Sequence, residues 1–65
     1  MEVKFEIRDE SGHSTVMVPQ ELVEESAQSY RDQGYMTVVN GELVPQGTLI
    51  PETPVVELYP LPTAG

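Results

Sequence analysis

Few residues in this 65-residue chain could do chemistry, and most of them lack the neighbours that chemistry needs. The single histidine, His13, lies between Ser11 and Ser14, which superficially joins a base to a nucleophile. The segment from Asp9 to Ser14 reads as a polar turn, and an open turn neither shields nor orients a catalytic pair, so a solvated turn histidine is expected. Cysteine is absent, which removes thiolate nucleophiles, disulfides and thiolate metal sites, and one histidine cannot build a zinc cage. Glu24 and Glu25 are adjacent and project to different parts of a helix surface, so a solvated face is expected rather than an acid–base pair. Asp9-Glu10 lacks the alternating ligands of a calcium loop, and no phosphate-binding loop, nucleophile elbow or HExxH motif is present. The remaining candidate is the terminal Thr63-Ala64-Gly65. A glycine has no Cβ, so a tail ending in one can thread a narrow channel and present a carboxylate for activation. The expectation is a non-enzyme with neither metal nor cofactor.

Charge narrows the partners. Eleven acidic residues face three basic ones, for a net charge of −8. Lys4, Arg8 and Arg31 are the only cations, too few for phosphate binding by counterion release or for an anionic membrane. Neither nucleic acid nor membrane is an expected partner; a basic protein surface is. The opening Met-Glu-Val-Lys-Phe has no signal-peptide core, and no apolar run approaches the ~18 residues of a spanning helix, so a cytoplasmic location is expected.

The elements that must hold the tail can be read from periodicity. Val3, Phe5 and Ile7 alternate with Lys4, Glu6 and Arg8, the period of a half-buried strand. After the polar turn, Thr15–Val18 supplies a second strand, and the two form an antiparallel hairpin. Pro19 ends that strand and suits the first turn of a helix. Leu22, Val23, Ala27 and Tyr30 trace an apolar stripe through a helix over about 19–33, with Arg31 near its negative end and Gly34 as its stop. Tyr35–Val39 is a strand, Asn40-Gly41 a tight turn, and Glu42–Val44 a brief return strand. Thr48–Pro54 holds too many prolines for a ladder and reads as a loop. Val55–Tyr59 is the last strand, and Pro60–Gly65 is expected to leave it as an extended, unpaired tail. A single helix must cover one face of a mixed sheet of four or five strands, an α+β unit whose first and last strands are central, parallel neighbours.

The strand–strand–helix–strand order, the segment Val38-Val39-Asn40-Gly41-Glu42-Leu43-Val44-Pro45 and the closing Val55–Gly65 together resemble the ubiquitin-like β-grasp sulfur carriers. These are the small carriers of thiamin and molybdopterin biosynthesis (the ThiS and MoaD type) and archaeal ubiquitin-like modifiers. The resemblance covers nearly the whole chain in order and length. It implies a β-grasp domain over 1–60 and a flexible tail over 61–65. It also implies that an ATP-dependent activating enzyme adenylates the terminal glycine, which then becomes a thiocarboxylate or an isopeptide bond. A synthase or target protein would follow as the next partner. Gly65 takes the reactive role, with Thr63 and Ala64 as the threading segment. The chain departs from the family in ending Ala-Gly rather than Gly-Gly. Two readings follow: a further glycine lies beyond Gly65, or this branch keeps the fold as a binding module without tail chemistry. For either, alternation places Met17, Tyr59 and Met36 or Val38 on the sheet face away from the helix, as a modest apolar patch for a partner. A monomer is expected.

Overall fold

The computed structural model describes residues 1–62. Strands β1 (Glu2–Asp9) and β2 (Gly12–Pro19) lead through a 3₁₀ turn (Gln20–Leu22) into helix α1 (Val23–Asp32). Strands β3 (Tyr35–Val39), β4 (Glu42–Val44) and β5 (Val55–Pro60) follow. They form one five-stranded mixed sheet in the order β2-β1-β5-β3-β4. As expected, β1 and β5 are parallel neighbours, with Phe5 beside Val56 and Ile7 beside Leu58; every other pairing is antiparallel. The result is an α+β domain with one helix on one face of the sheet.

The core sits between the two layers. Val3, Phe5, Ile7, Val18, Val39, Val44, Val56 and Leu58 point from the sheet toward Val23 and Ala27 of α1. Phe5 is fully buried and lies 6.1 Å from the Tyr30 ring, which in turn meets Tyr35 edge-on at 5.9 Å. Thr37 is also fully buried, and its hydroxyl donates to the Val44 carbonyl at 2.9 Å. Arg31 then donates to the Thr37 hydroxyl at 2.9 Å and to the Val44 carbonyl at 3.2 Å, fastening the last turn of α1 to the β3–β4 hairpin.

Turns match their residues. Asn40 and Gly41 adopt positive φ (52° and 81°), which the tight turn closing β3 onto β4 requires. In the first hairpin Asp9 faces Gly12, so the turn is shorter than the sequence reading made it. Asp9 Oδ1 accepts from the Ser11 hydroxyl at 2.6 Å and from the Ser11 N–H at 2.9 Å, while Oδ2 accepts from the Tyr35 hydroxyl at 3.3 Å. The Ser11 hydroxyl bond above all, with the Ser11 N–H and Tyr35 bonds, outweighs desolvation and holds the Asp9 carboxyl below its ordinary value of 3.8. A carboxyl with a lowered folded value supports the fold above its ordinary value and loses that support as pH falls through the lowered one. In an NMR titration, the Ser11 amide should therefore move with a midpoint below 3.8, and Asp9→Asn should remove that transition. A midpoint at or above the ordinary value would contradict the turn geometry.

Four further expectations are corrected. The helix does not run 19–33: a 3₁₀ turn precedes it, and α1 itself spans Val23–Asp32. The tighter winding turns Leu22 out of the apolar stripe, leaving it 42% exposed. Glu24 is more than a solvated charge, because its Oε2 accepts from the Ile50 N–H at 2.7 Å and anchors the loop between β4 and β5. Finally, Pro60 does pair, opposite Tyr35, and the Leu61 N–H donates to the Gly34 carbonyl at 2.8 Å. Alternation along an antiparallel ladder makes Leu61 a bonding position and Pro60 a non-bonding one, so β3 never calls on the N–H that proline lacks.

Candidate functional site

β5 is the middle strand of the sheet and carries the chain out at one end, between the β1–β2 turn and the end of α1. Asp9, Glu10, Ser11, Gln33, Gly34, Pro60, Leu61 and Pro62 line an open groove there. The expected reactive residue Gly65 and its neighbours Ala64 and Thr63 lie outside the described residues. What is placed is their root: Leu61, held by Gly34, and Pro62.

The face of the sheet away from α1 holds the second group of candidates. Register sets its rows. One row runs from His13 to Arg8, whose guanidinium lies over the Tyr59 ring, and from Tyr59 to Met36. The next runs from Thr15 through Glu6, Glu57 and Val38 to Leu43. A third sets Met17 beside Lys4 and Val55. Arg8 reaches Glu6 at 3.2 Å and Glu57 at 3.4 Å, and its guanidinium lies 5.8 Å from the centre of the Tyr59 ring. The Tyr59 hydroxyl donates to Glu57 Oε2 at 2.8 Å, and this bond, with desolvation, raises the phenol above its ordinary value. His13 Nε2 lies 3.3 Å from Glu6 Oε1.

Of the patch expected from the sequence, Met36 and Tyr59 are direct cross-strand neighbours and Val38 lies one row away. Met17 is not joined to them; the Glu6–Arg8–Glu57 cluster lies between. The pleat also corrects the reading of His13. It belongs to β2 rather than to the turn, and it shares the open face with Arg8, whereas Ser14 pairs with Ile7 on the helix side. His13 and Ser14 therefore point to opposite faces, and the Ser11 hydroxyl is engaged by Asp9. Glu6, Arg8, Glu57 and Tyr59 all stand on outward positions of strands expected to be neighbours; the charged cluster depends further on the register that sets Glu6 opposite Glu57, which alternation within each strand does not give.

Among the described residues, no three His, Asp or Glu side chains gather into a possible metal set, and no helix is long and apolar enough to cross a membrane. No family model matches the chain, and no curated protein or solved structure matches it.

Proposed function

We propose that this domain is a ubiquitin-like β-grasp carrier, activated at the carboxylate of Gly65. The observation that carries this reading is the sheet order β2-β1-β5-β3-β4, with the last strand parallel to the first at its centre. That order pairs β5, the strand that leads toward Gly65, along both of its edges, which supports a role for it as the base of a presented tail. In the proposed chemistry the Gly65 carboxylate attacks the α-phosphorus of ATP on an activating enzyme and displaces pyrophosphate. A sulfur nucleophile, or a lysine amine, then attacks the acyl carbon and releases AMP. Activation is needed because a bare carboxylate is a poor electrophile. Ala64 is compatible with this chemistry where the enzyme's channel admits one methyl group.

Mass spectrometry after incubation with a candidate activating enzyme, ATP and a sulfur donor should detect the adenylate, and then a thiocarboxylate sixteen mass units above the carboxylate (oxygen replaced by sulfur, ~16 Da, from atomic masses). Gly65→Ala should abolish both species. Absence of adenylate, thiocarboxylate and conjugate with every activating enzyme of the source cell would end the carrier reading.

A second reading, an interaction module that docks through the open sheet face, is favoured by the adjacency of Met36 and Tyr59 beside the Arg8 cluster. Deleting Thr63–Gly65 separates the two readings, since partner binding that survives intact belongs to the module.

A further inference from the structure

The two edges of the sheet are built differently. β4 is three residues long, carries Glu42 and is followed by Pro45, all of which discourage further pairing. β2 is eight residues long and pairs without interruption along the whole of β1. As the other end of the strand order, it has no neighbour beyond it among the described residues. The Gln20 N–H donates to the Met1 carbonyl at 2.9 Å. Antiparallel alternation then turns the backbone groups of Ser14, Val16 and Val18 toward β1 and those of His13, Thr15 and Met17 outward. These three outward residues are exposed.

Charge singles out the same edge, which also exposes apolar side chains. Residues 11–20 form the longest stretch without Asp or Glu in a chain of net charge −8. The β1 residues beside Met17 and His13 are Lys4 and Arg8, two of the chain's three cations. Val16 (41%) and Met17 (49%) are among the large apolar side chains left exposed, and Leu22 (42%) follows just after the strand.

We propose that this edge pairs with the β2 of a second copy, antiparallel about a two-fold axis through Thr15. Only this register sets every outward residue opposite another: His13 against Met17, Thr15 against Thr15, and Met17 against His13. Each pair exchanges two backbone hydrogen bonds. Facing residues share a face of the sheet, so both helices lie on one side of a continuous ten-stranded sheet (five from each copy). Across the axis, Glu6 of each copy is separated by two strands of threonine. At ~4.8 Å per strand the two carboxylates stand roughly 14 Å apart, beyond the ~8 Å screening length of physiological salt. Edge pairing therefore joins the copies through the edge strand that carries no acidic side chain, whereas β4 carries Glu42. The proposal does not rest on the carrier reading, and it replaces the monomer expected from sequence.

The test is sedimentation of the full chain from micromolar to millimolar concentration, with amide hydrogen exchange over the same range. A dimer should appear, and exchange at His13, Thr15 and Met17 should slow by about tenfold or more on concentration, while Ser14 and Val16 stay unchanged. Thr15→Pro removes only an outward N–H and should give a folded monomer. A wild-type chain that stays monomeric at millimolar concentration overturns the proposal. So does a dimer in which those three amides exchange as in dilute solution, which would also cover pairing through another surface. If Thr15→Pro impairs folding, the exchange measurement on the wild-type chain still decides.

Discussion

Phe5→Ala should leave little folded protein at 25 °C. Phe5 is fully buried at the centre of β1, flanked by Val16 and Val56, and its ring meets Tyr30 of the helix. Truncating a buried phenylalanine costs about 3–5 kcal/mol, from lost transfer free energy and the cavity left behind. A cysteine-free core of this size supplies a net stability of only about 3–5 kcal/mol. The two magnitudes are equal, so a substitution that a larger domain would tolerate should here unfold most of the population. The aromatic chain worsens the loss: without Phe5, Tyr30 loses one of its two ring contacts, and Tyr35 then packs on a less constrained partner. Circular dichroism and urea unfolding of the variant measure this. A cooperative transition with less than about 1.5 kcal/mol lost would mean that the core lies elsewhere or collapses readily around the gap.

What could be read from the sequence was what local pattern dictates. Val3, Phe5 and Ile7 alternate strictly, and a one-residue slip would turn them all to solvent, so their inward direction is overdetermined. Asn40-Gly41 demands a turn because few other pairs accept two positive φ angles. The central place of β1 and β5 followed from their richness in core-type side chains. The rest depended on distances along the chain that periodicity does not encode. Leu22 fits an α-helical stripe, but the 3₁₀ turn winds at a different pitch and directs it outward. Pro60 looked like a strand terminator because its missing N–H was counted as lost pairing, whereas only half the positions of a ladder need one.

The candidate site divides along the same line. The outward positions of Met17, Met36 and Tyr59 follow from alternation, and they hold. Which of them touch depends on register across strands distant in sequence. Register joins Met36 to Tyr59 and places Glu6, Arg8 and Glu57 between them and Met17. Hydrophobic pattern alone could not anticipate this row. Arg8 balances two half-buried carboxylates and lies over the Tyr59 ring, so the open face is a charged centre with an apolar flank. A partner docking there must match the charge pattern as well as cover Tyr59 and Met36, which favours selectivity over raw affinity.

Arg31→Met should cost about 1.5–3 kcal/mol, the range for hydrogen bonds from a charged group. For so small a core that is roughly a third or more of the total stability. Sequence alone assigns Arg31 a modest role, a cation near the negative end of a helix, worth ~0.3–1 kcal/mol at an exposed site. Its geometry says otherwise. The guanidinium reaches past the helix end to the Thr37 hydroxyl and the Val44 carbonyl, the two groups that already bond each other beneath it. Methionine keeps most of the apolar stem and removes the donors, so the loss reports on hydrogen bonding rather than packing. Because both acceptors are neutral, the effect should change little with salt, in contrast to the exposed Arg8 pairs with Glu6 and Glu57. Arg31→Lys should recover less than half of the loss, since both bonds come from Nη2 at the far end of the guanidinium and the shorter lysine side chain ends one bond before that point. Urea unfolding of Arg31→Met and Arg31→Lys at low and high salt provides the measurement. A loss that largely disappears at high salt would assign Arg31 to long-range charge balance in an acidic chain and not to the junction of helix and hairpin.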